Sequence, residues 1–132
     1  MSISSIMTPK LVTVTPETTV DVMQQLLDTH PIHHLLVVEG GKLVGVISDR
    51  DILKVTSPYL RTQLETNKDL LTLTRTASQL MARKVVTISP KASILDAART
   101  LIENKVSLLP VIDSDDELVG VLSWKDVMRY II

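Results

Sequence analysis

The side chains best suited to binding a ligand lie in a short motif that occurs twice. Residues 45–51 read Gly-Val-Ile-Ser-Asp-Arg-Asp, and residues 120–126 read Gly-Val-Leu-Ser-Trp-Lys-Asp. In each copy a hydroxyl stands three residues before a carboxylate: Ser48 before Asp51, and Ser123 before Asp126. Because an apolar, strand-like run ends at each serine, the spacing predicts a junction between a strand and a helix.

This spacing supports two interpretations. In a capping box, the serine accepts a hydrogen bond from the backbone N–H three residues on, and the aspartate accepts one from the serine N–H. Alternatively, the unpaired N–H groups at the helix start hold a phosphate, with the serine as an extra donor and Arg50 or Lys125 nearby. An ionised aspartate only accepts hydrogen bonds, so it suits the two hydroxyls of a ribose. The residues alone leave both interpretations open.

The motif belongs to an internal repeat. Residues 7–16 align with residues 81–90, 74 positions later, and five of the ten pairs are identical. The offset becomes 75 at the turn of the first hairpin, because a Gly-Gly turn at residues 40–41 corresponds to a longer loop in the second copy. A surface loop is where a change of length is best tolerated. The repeat therefore predicts two copies of one structural unit.

Each repeat is predicted to fold in the order β-α-β-β-α. A short strand around Val12 or Val86 comes first, followed by a proline turn and a helix with apolar residues at helical spacing. A hairpin rich in Val, Leu and Ile follows, and a second helix begins at Asp49 or Trp124. The hairpins are expected at Leu35–Glu39 with Leu43–Ser48, and at Leu109–Asp113 with Leu118–Ser123.

The starts of the first helices carry their own signals. Thr18 with Asp21, and Ser93 with Asp96, stand at the separation of a capping box. We therefore expect both helices to begin with that pair of hydrogen bonds.

We predict an α+β fold with layers of the α/β type. A repeat of about 50 residues forms only a marginal core alone, so we expect the two repeats to pack through their sheets with pseudo-twofold symmetry. The predicted domains are residues 1–56 for the first repeat, 57–75 for a connector and 76–132 for the second repeat. Within the connector we expect a helical turn at Leu60–Leu64 and a solvated linker at Gln63–Asp69.

Composition excludes several classes of protein. The 132 residues include 14 basic and 15 acidic side chains, no cysteine, one tryptophan, two tyrosines and no phenylalanine. Without thiols there is no disulfide framework, zinc finger or cysteine nucleophile. A nearly neutral chain lacks the basic field that binds nucleic acid, and no apolar run is long enough to span a bilayer. We expect a cytoplasmic protein that binds neither nucleic acid nor membrane.

The sequence does not predict catalysis or a metal site. Neither Ser48 nor Ser123 has a histidine at motif spacing, and no glycine-rich phosphate loop is present. The three histidines lie together at His30, His33 and His34, but no carboxylate stands at ligand spacing from them. We interpret His33 and His34 as a phosphate contact or a solvated strand entry, and the chain as a non-enzyme.

Taken together, these residues resemble the cystathionine β-synthase (CBS) domain family, and the chain is similar to a tandem pair of such domains, a Bateman module. The resemblance covers nearly the whole chain outside the connector and the extreme N-terminus. It is carried by both copies of the Gly-hydrophobic-x-Ser-x-x-Asp motif and by three further segments: Met7-Thr8-Pro9, Val12-Thr13-Val14, and Leu-Leu-Pro-Val-Ile-Asp at 108–113.

The resemblance implies two clefts that bind an adenosine-containing ligand such as AMP, ADP, ATP or S-adenosylmethionine, without an obligatory cofactor. Serine would approach phosphate and aspartate would hold ribose, with Arg50 or Lys125 beside them. The backbone at Thr13 or Thr87 and the side chain of Leu35 or Leu109 would frame the base. The resemblance thus assigns two parallel sets of site residues: Thr13, His33, His34, Leu35, Ser48, Arg50 and Asp51, and Thr87, Leu108, Leu109, Ser123, Lys125 and Asp126.

The two predicted clefts are not equivalent. The positions before the central strand, which in the family often carry phosphate-contacting cations, are His33 and His34 in one copy but Ser107 and Leu108 in the other. Leu36 replaces the proline usual in the family, which the second copy keeps, and Trp124 is a bulky ring directly after Ser123. Which cleft binds a ligand stays open at this point.

The resulting functional prediction is a regulatory sensor that binds an adenosine ligand between its repeats. It would form a homodimer and signal to an unidentified protein target. The alternative prediction is a structural or dimerisation module with empty, degenerate clefts. The apolar C-terminal end, residues 127–132, fits either a cap on the core or a dimer face.

Overall fold

The structure is a computed structural model that describes residues 2–9 and 11–132. The described residues form helices and sheets of a mixed α+β fold, which confirms the predicted class. The strands are β1 (Thr13–Val14), β2 (His34–Glu39), β3 (Lys42–Ser48), β4 (Leu108–Ile112) and β5 (Leu118–Ser123). The helices are α1 (Val20–Thr29), α2 (Asp49–Val55), α3 (Asn67–Leu71), α4 (Ala77–Leu80), α5 (Ile94–Asn104) and α6 (Trp124–Ile131).

The chain divides into two compact units. The central unit is Val12–Val85, and the terminal unit combines Met1–Leu11 with Val86–Ile132. These packing units differ from the sequence repeats, because the first residues of each repeat are grouped with the rest of the other repeat. The predicted domain boundaries at 56 and 76 describe the repeats and stay a prediction.

The central unit is built on a three-stranded sheet. Strand β1 runs parallel to β2, with Val14 opposite Val37, and β2 pairs with β3 in antiparallel register. Gly40 and Gly41 have φ of 58° and 81°, which a two-residue hairpin turn between twisted strands requires. The core consists of apolar side chains from the sheet, the helices and the segment after the connector: Val14, Val20, Met23, Leu35, Val37, Ile47, Ile52, Ala77 and Met81.

The terminal unit repeats this arrangement with a smaller sheet. Strands β4 and β5 form a hairpin, and Ile88 makes a single parallel bridge to Val111 in place of a third strand. This bridge is the counterpart, 74 residues on, of the Val14–Val37 pair. The core is again formed by apolar side chains: Ile3, Ala97, Leu101, Leu109, Val111, Leu122 and Val127.

In the terminal unit the N-terminal segment completes the fold. Ile3 is fully buried, and its N–H donates to Ala92 O at 2.9 Å. Thr8 and Val121 exchange a pair of backbone hydrogen bonds of 2.8 and 3.0 Å along the free edge of β5. The first residues of the chain are therefore a structural part of the second repeat's unit.

In the central unit the segment after the connector plays the same role. Ala77 is fully buried and its N–H donates to Thr18 O at 2.8 Å. Ala82 and Val46 exchange backbone hydrogen bonds of 3.0 and 3.1 Å along β3. Each contact matches one in the terminal unit, shifted by the repeat offset.

This packing explains the glycine of the repeated motif. A Cβ placed on Gly45 would lie 2.5 Å from Met81 Sδ, and one placed on Gly120 would lie 2.8 Å from Met7 Sδ. Both distances are below any ordinary non-bonded contact, so the position must lack a side chain for the methionine to cross the strand.

The predicted element order is confirmed for both hairpins and for the helices that begin at Asp49 and Trp124. The capping box at Ser93 and Asp96 is also confirmed, with hydrogen bonds of 3.3 and 3.0 Å. The one predicted at Thr18 was wrong, because α1 has Thr19 as its N-cap residue. The Thr18 hydroxyl instead accepts the Thr15 N–H at 3.0 Å and closes the preceding turn.

The connector also differs from expectation. The predicted helical turn at 60–64 was wrong, since hydrogen-bonded turns without a helix occupy that stretch. Helix α3 instead lies at Asn67–Leu71, overlapping the stretch expected to be a linker. A capping box starts it, because the Thr66 N–H donates to Asp69 Oδ2 at 2.9 Å and the Asp69 N–H donates to Thr66 Oγ1 at 3.4 Å. The Thr-x-x-Asp spacing at Thr66 and Asp69 is the sequence signal that marks the start of this helix.

Among residues 2–9 and 11–132, no helix has both the length and the apolar character needed to cross a membrane.

Candidate functional site

The first copy of the motif lies where β3 runs directly into α2. The Ser48 N–H donates to Asp51 Oδ2 at 2.9 Å, and the Asp51 N–H donates to Ser48 Oγ at 3.2 Å. Both hydrogen bonds of a capping box are therefore made, and they hold the serine and aspartate side chains in a fixed orientation.

The second copy lies at the same junction between β5 and α6. The Ser123 N–H donates to Asp126 Oδ2 at 2.8 Å, and the Asp126 N–H donates to Ser123 Oγ at 3.2 Å. Here the second carboxylate oxygen is also engaged, because Arg129 Nη1 lies 3.4 Å from Asp126 Oδ1. The capping interpretation is confirmed for both copies.

Backbone hydrogen bonds bring the start of one strand next to each of these helices. The Asp49 N–H donates to His33 O at 2.9 Å, and the Trp124 N–H donates to Ser107 O at 3.1 Å. At the same level, His34 is paired across the sheet with Ser48. Each unit therefore gathers the residues before its central strand and the Ser-x-x-Asp motif into one place.

A hydrogen bond between His33 and Asp49 is the main electrostatic feature of the first site. His33 Nδ1 lies 2.9 Å from Asp49 Oδ2, with both side chains largely open to solvent. The hydrogen bond from His33 is the chief cause that lowers the pKa of Asp49 below its ordinary value. Burial lowers the pKa of His34, outweighing the nearby carboxylates of Asp49 and Asp51. At neutral pH Asp49 is therefore an anion and His34 is neutral.

Asp49 was missing from the predicted site. It follows the cap residue directly, and an acidic residue in the first turn is common because it complements the helix dipole. Its contact with His33, which lies 16 positions earlier in the chain, became visible only once the strand and helix were placed together.

The second site has a different surface. Trp124 takes the place of Asp49 and is half exposed. Lys125 Nζ lies 5.9 Å from the centroid of the Trp124 ring, within the range of a cation–π contact. Together with Arg129, this gives the second helix start two basic side chains and one carboxylate.

The residues predicted to frame a base divide into two groups. Thr13 and Thr87 are exposed. Leu35 and Leu109 belong to the two cores and have no exposed surface. These leucines therefore offer no exposed surface to a ligand.

Two other features lie apart from the motif. In the described part of the chain, no three His, Asp or Glu side chains are grouped closely enough to hold a metal ion. None of the predicted site residues lines a cavity of about 380 Å³ in the central unit. It is lined by α1 and by the region around the connector: Gln24, Thr56, Ser57, Leu60, Arg61, Glu65, Leu70 and Leu73.

Comparison with known proteins finds one matching domain in each repeat. The family model for the CBS domain matches residues 3–57 and residues 77–132. The chain belongs to the CBS domain family. A CBS domain-containing protein of Dictyostelium discoideum is 33% identical over 132 residues, which cover 98% of this chain and 90% of that protein.

A plant relative is similar in both sequence and structure. The chloroplastic CBS domain-containing protein CBSX2 of Arabidopsis thaliana is 32% identical over 148 residues, which cover 97% of this chain and 62% of CBSX2. The crystal structure of CBSX2 in complex with AMP has a TM-score of 0.82 and 32% identity, covering 98% of this chain and 95% of that one. This tandem pair of CBS domains therefore has the fold of a CBS pair solved with a nucleotide.

The same pair also occurs as a minor part of enzymes. An inosine-5'-monophosphate dehydrogenase of Thermoplasma acidophilum is 30% identical over 116 residues, which cover 88% of this chain but only 21% of that enzyme. The CBS pair thus spans most of some relatives and about a fifth of others.

Proposed function

We propose that this CBS pair is a regulatory module that binds an adenosine-containing ligand at its two Ser-x-x-Asp sites. The observation that supports this most is the preformed geometry of both motifs on a chain 32% identical to CBSX2, which was crystallised with AMP. In each unit a fixed carboxylate and hydroxyl stand beside an exposed strand entry. A ligand with a ribose and a polar 5' group matches that combination.

The proposed roles follow the sequence prediction, adjusted to the geometry. Asp51 and Asp126 accept from the ribose hydroxyls, and Ser48 and Ser123 lie at the 5' end of the ligand. The base lies against the backbone near Thr13 in the first site and near Thr87 in the second, while Leu35 and Leu109 support these positions from the two cores. The other proposed contacts come from residues flanking these positions: His33, His34, Arg50, Leu108 and Lys125.

Signalling is the second part of the proposal. A bound ligand shifts a conformational equilibrium only by its different affinity for the two arrangements. We propose that occupancy changes the association of this chain with itself or with a protein target. The apolar side chains exposed on α6 and at the residue that follows it are the proposed contact surface: Trp124, Met128, Tyr130, Ile131 and Ile132. The absence of catalysis and the cytoplasmic location are also proposals, which rest on the sequence prediction.

One observation favours a second candidate, a purely structural module. Both capping boxes already occupy the serine and one aspartate oxygen, so the motif has a folding role without any ligand. In that case the aspartates contribute only the stability of a helix cap, about 1 kcal/mol each.

Calorimetry on the whole chain with AMP distinguishes the two functions. ADP, ATP and S-adenosylmethionine would follow, and GMP would serve as the base control. We expect Asp51→Ala and Asp126→Ala each to weaken AMP binding at their own site tenfold or more, because a charge-assisted hydrogen bond is worth about 1.5–3 kcal/mol.

The matched control is Asp96→Ala, which breaks a capping box of the same geometry at the start of α5. It should lose stability like the other two variants and keep AMP affinity. Equal AMP affinity in all three variants would reject the ribose assignment, and no adenine-selective binding at millimolar ligand would favour the structural module.

A further inference from the structure

The two sites differ in charge at one position. In the first turn of α2, Ser48 is followed by Asp49 and then by Asp51, whereas α6 has Trp124 where α2 has Asp49. The basic residues do not differ, because Arg50 corresponds to Lys125 and Lys54 to Arg129. The first site therefore has one more carboxylate than the second, and Asp49 supplies it.

That charge is held in place. Asp49 is fixed from two sides by His33, since the His33 carbonyl accepts the Asp49 N–H at 2.9 Å and His33 Nδ1 lies 2.9 Å from Asp49 Oδ2. The same hydrogen bond lowers the pKa of Asp49, so the carboxylate stays ionised at neutral pH. His34 does not offset it, because burial lowers its pKa and favours the neutral ring.

We propose that Asp49 makes the first site selective for adenosine derivatives without a 5' phosphate, while phosphorylated adenosine binds at the second site. The inference rests on the proposed function, which puts the 5' end of the ligand beside Ser48 or Ser123. A phosphate at the first site would lie next to the Asp49 carboxylate. Like charges a few ångströms apart at a half-exposed surface disfavour binding about tenfold. Trp124 imposes no such repulsion, and because the basic side chains match between the sites, the Asp49 carboxylate is the difference that a phosphate meets.

Adenosine and AMP are the matched probes, because they differ only in the 5' phosphate. Asp126→Ala weakens the second site and Asp51→Ala weakens the first, so the tighter binding event in each variant reports on the site left intact. Titration calorimetry at low ionic strength keeps the repulsion unscreened. We expect the first site alone to bind adenosine at least about tenfold more tightly than AMP. At the second site AMP should bind as tightly as adenosine or more tightly.

A second experiment removes the charge at Asp49 alone. In the Asp126→Ala background, Asp49→Asn should raise the ratio of AMP affinity to adenosine affinity about tenfold. The matched control is Glu39→Gln, which removes the same charge at the opposite end of β2 and should leave that ratio unchanged. In the Asp51→Ala background, the Trp124→Asp variant should have a lower ratio of AMP affinity to adenosine affinity than the Trp124→Asn variant. These two substitutions also differ only in charge.

The outcomes separate the two proposals. If adenosine binds the first site and Asp49→Asn changes the AMP-to-adenosine ratio no more than Glu39→Gln does, the selectivity proposal is overturned and the adenosine function stands. If neither adenosine nor AMP binds the unmodified chain, both proposals fail together.

Discussion

The two copies of the motif share a backbone and differ in chemistry. The serine N–H to aspartate hydrogen bond is 2.9 Å in one copy and 2.8 Å in the other, and the return hydrogen bond is 3.2 Å in both. Yet Asp49 paired with His33 in the first copy corresponds to Trp124 beside Lys125 in the second. The fold depends on the serine, the glycine and the aspartate, so the residue directly after the serine can differ between the copies without changing the fold. The proposed selectivity rests on that residue.

The two units also share a backbone arrangement but differ in the size of the sheet and in one buried side chain. The central unit has a three-stranded sheet, whereas the terminal unit has a hairpin with one added bridge. Both are completed by a segment whose first buried residue stands at the same repeat position, but that residue is Ile3 in the terminal unit and Ala77 in the central one. The terminal unit therefore depends more on its added segment, because the larger side chain buries more apolar surface.

The largest effect should come from removing that side chain. Ile3→Ala leaves a cavity in the terminal core and should lower the free energy of unfolding by about 2–5 kcal/mol, as measured by chemical denaturation. The control is Ile131→Ala, which shortens an exposed side chain on α6 and should change stability by less than about 0.5 kcal/mol. Similar values for the two variants would mean that the N-terminal segment does not stabilise the unit.

The motif glycines should come next. Gly45→Ala brings a Cβ within 2.9 Å of all three of its nearest atoms, Met81 Sδ, Cγ and Cβ, so the start of that side chain must move. Gly120→Ala meets Met7 Sδ at 2.8 Å, which a change of rotamer can relieve, and Thr8 O at 3.1 Å. Both should destabilise by about 1–3 kcal/mol, Gly45→Ala more than Gly120→Ala. The reverse order in denaturation curves would show that backbone contact with Thr8 outweighs contact with methionine.

The repeat made much of the fold predictable. Two copies of each signal confirm one another, so the hairpins and the helix starts at Asp49 and Trp124 were predicted from pattern alone. The single-copy connector lacked that support, and its helix at Asn67–Leu71 was missed. The sheet that each added segment packs against could not be predicted, for a different reason. A repeat shows that Ile3 and Ala77 are equivalent, but it does not show which sheet each one covers.

For the candidate sites, the sequence predicted the residues of the motif but not their surroundings. Ser48 and Asp51 are close in the chain, so their hydrogen bonds follow from local geometry. The contact between His33 and Asp49 and the complete burial of Leu35 depend on how strands and helices pack. Such contacts between distant positions are not encoded in the spacing of any one segment.

A smaller effect separates the two helix starts that the sequence treated alike. Ser93→Ala removes a true N-cap and should cost about 1 kcal/mol, whereas Thr18→Ala removes only an acceptor within a turn and should cost less. Thr19→Ala is the control on α1, because Thr19 is its N-cap residue but makes no side-chain bond to the helix backbone. If Thr18→Ala cost as much as Ser93→Ala in denaturation experiments, the turn at Thr15 would contribute more than the geometry implies.

The pH dependence of stability should distinguish the first site from the second, since only the first has histidines. Burial lowers the pKa of His34 in the folded chain, so the unfolded chain binds that proton more readily. This contribution to stability should therefore be fully present above the ordinary imidazole pKa of about 6.5. It should be lost as the pH falls below that value and through the lowered pKa of His34 in the folded chain. The lowered pKa of Asp49 does not contribute in this window, because its effect on stability is lost only at more acidic pH. His34→Gln should flatten the measured curve of unfolding free energy against pH, because it removes the buried ring that takes up a proton on unfolding. Equal slopes for the unmodified chain and His34→Gln would mean that burial at the first site does not hold this ring neutral, and the contrast in charge between the two sites would then be smaller than the structure implies.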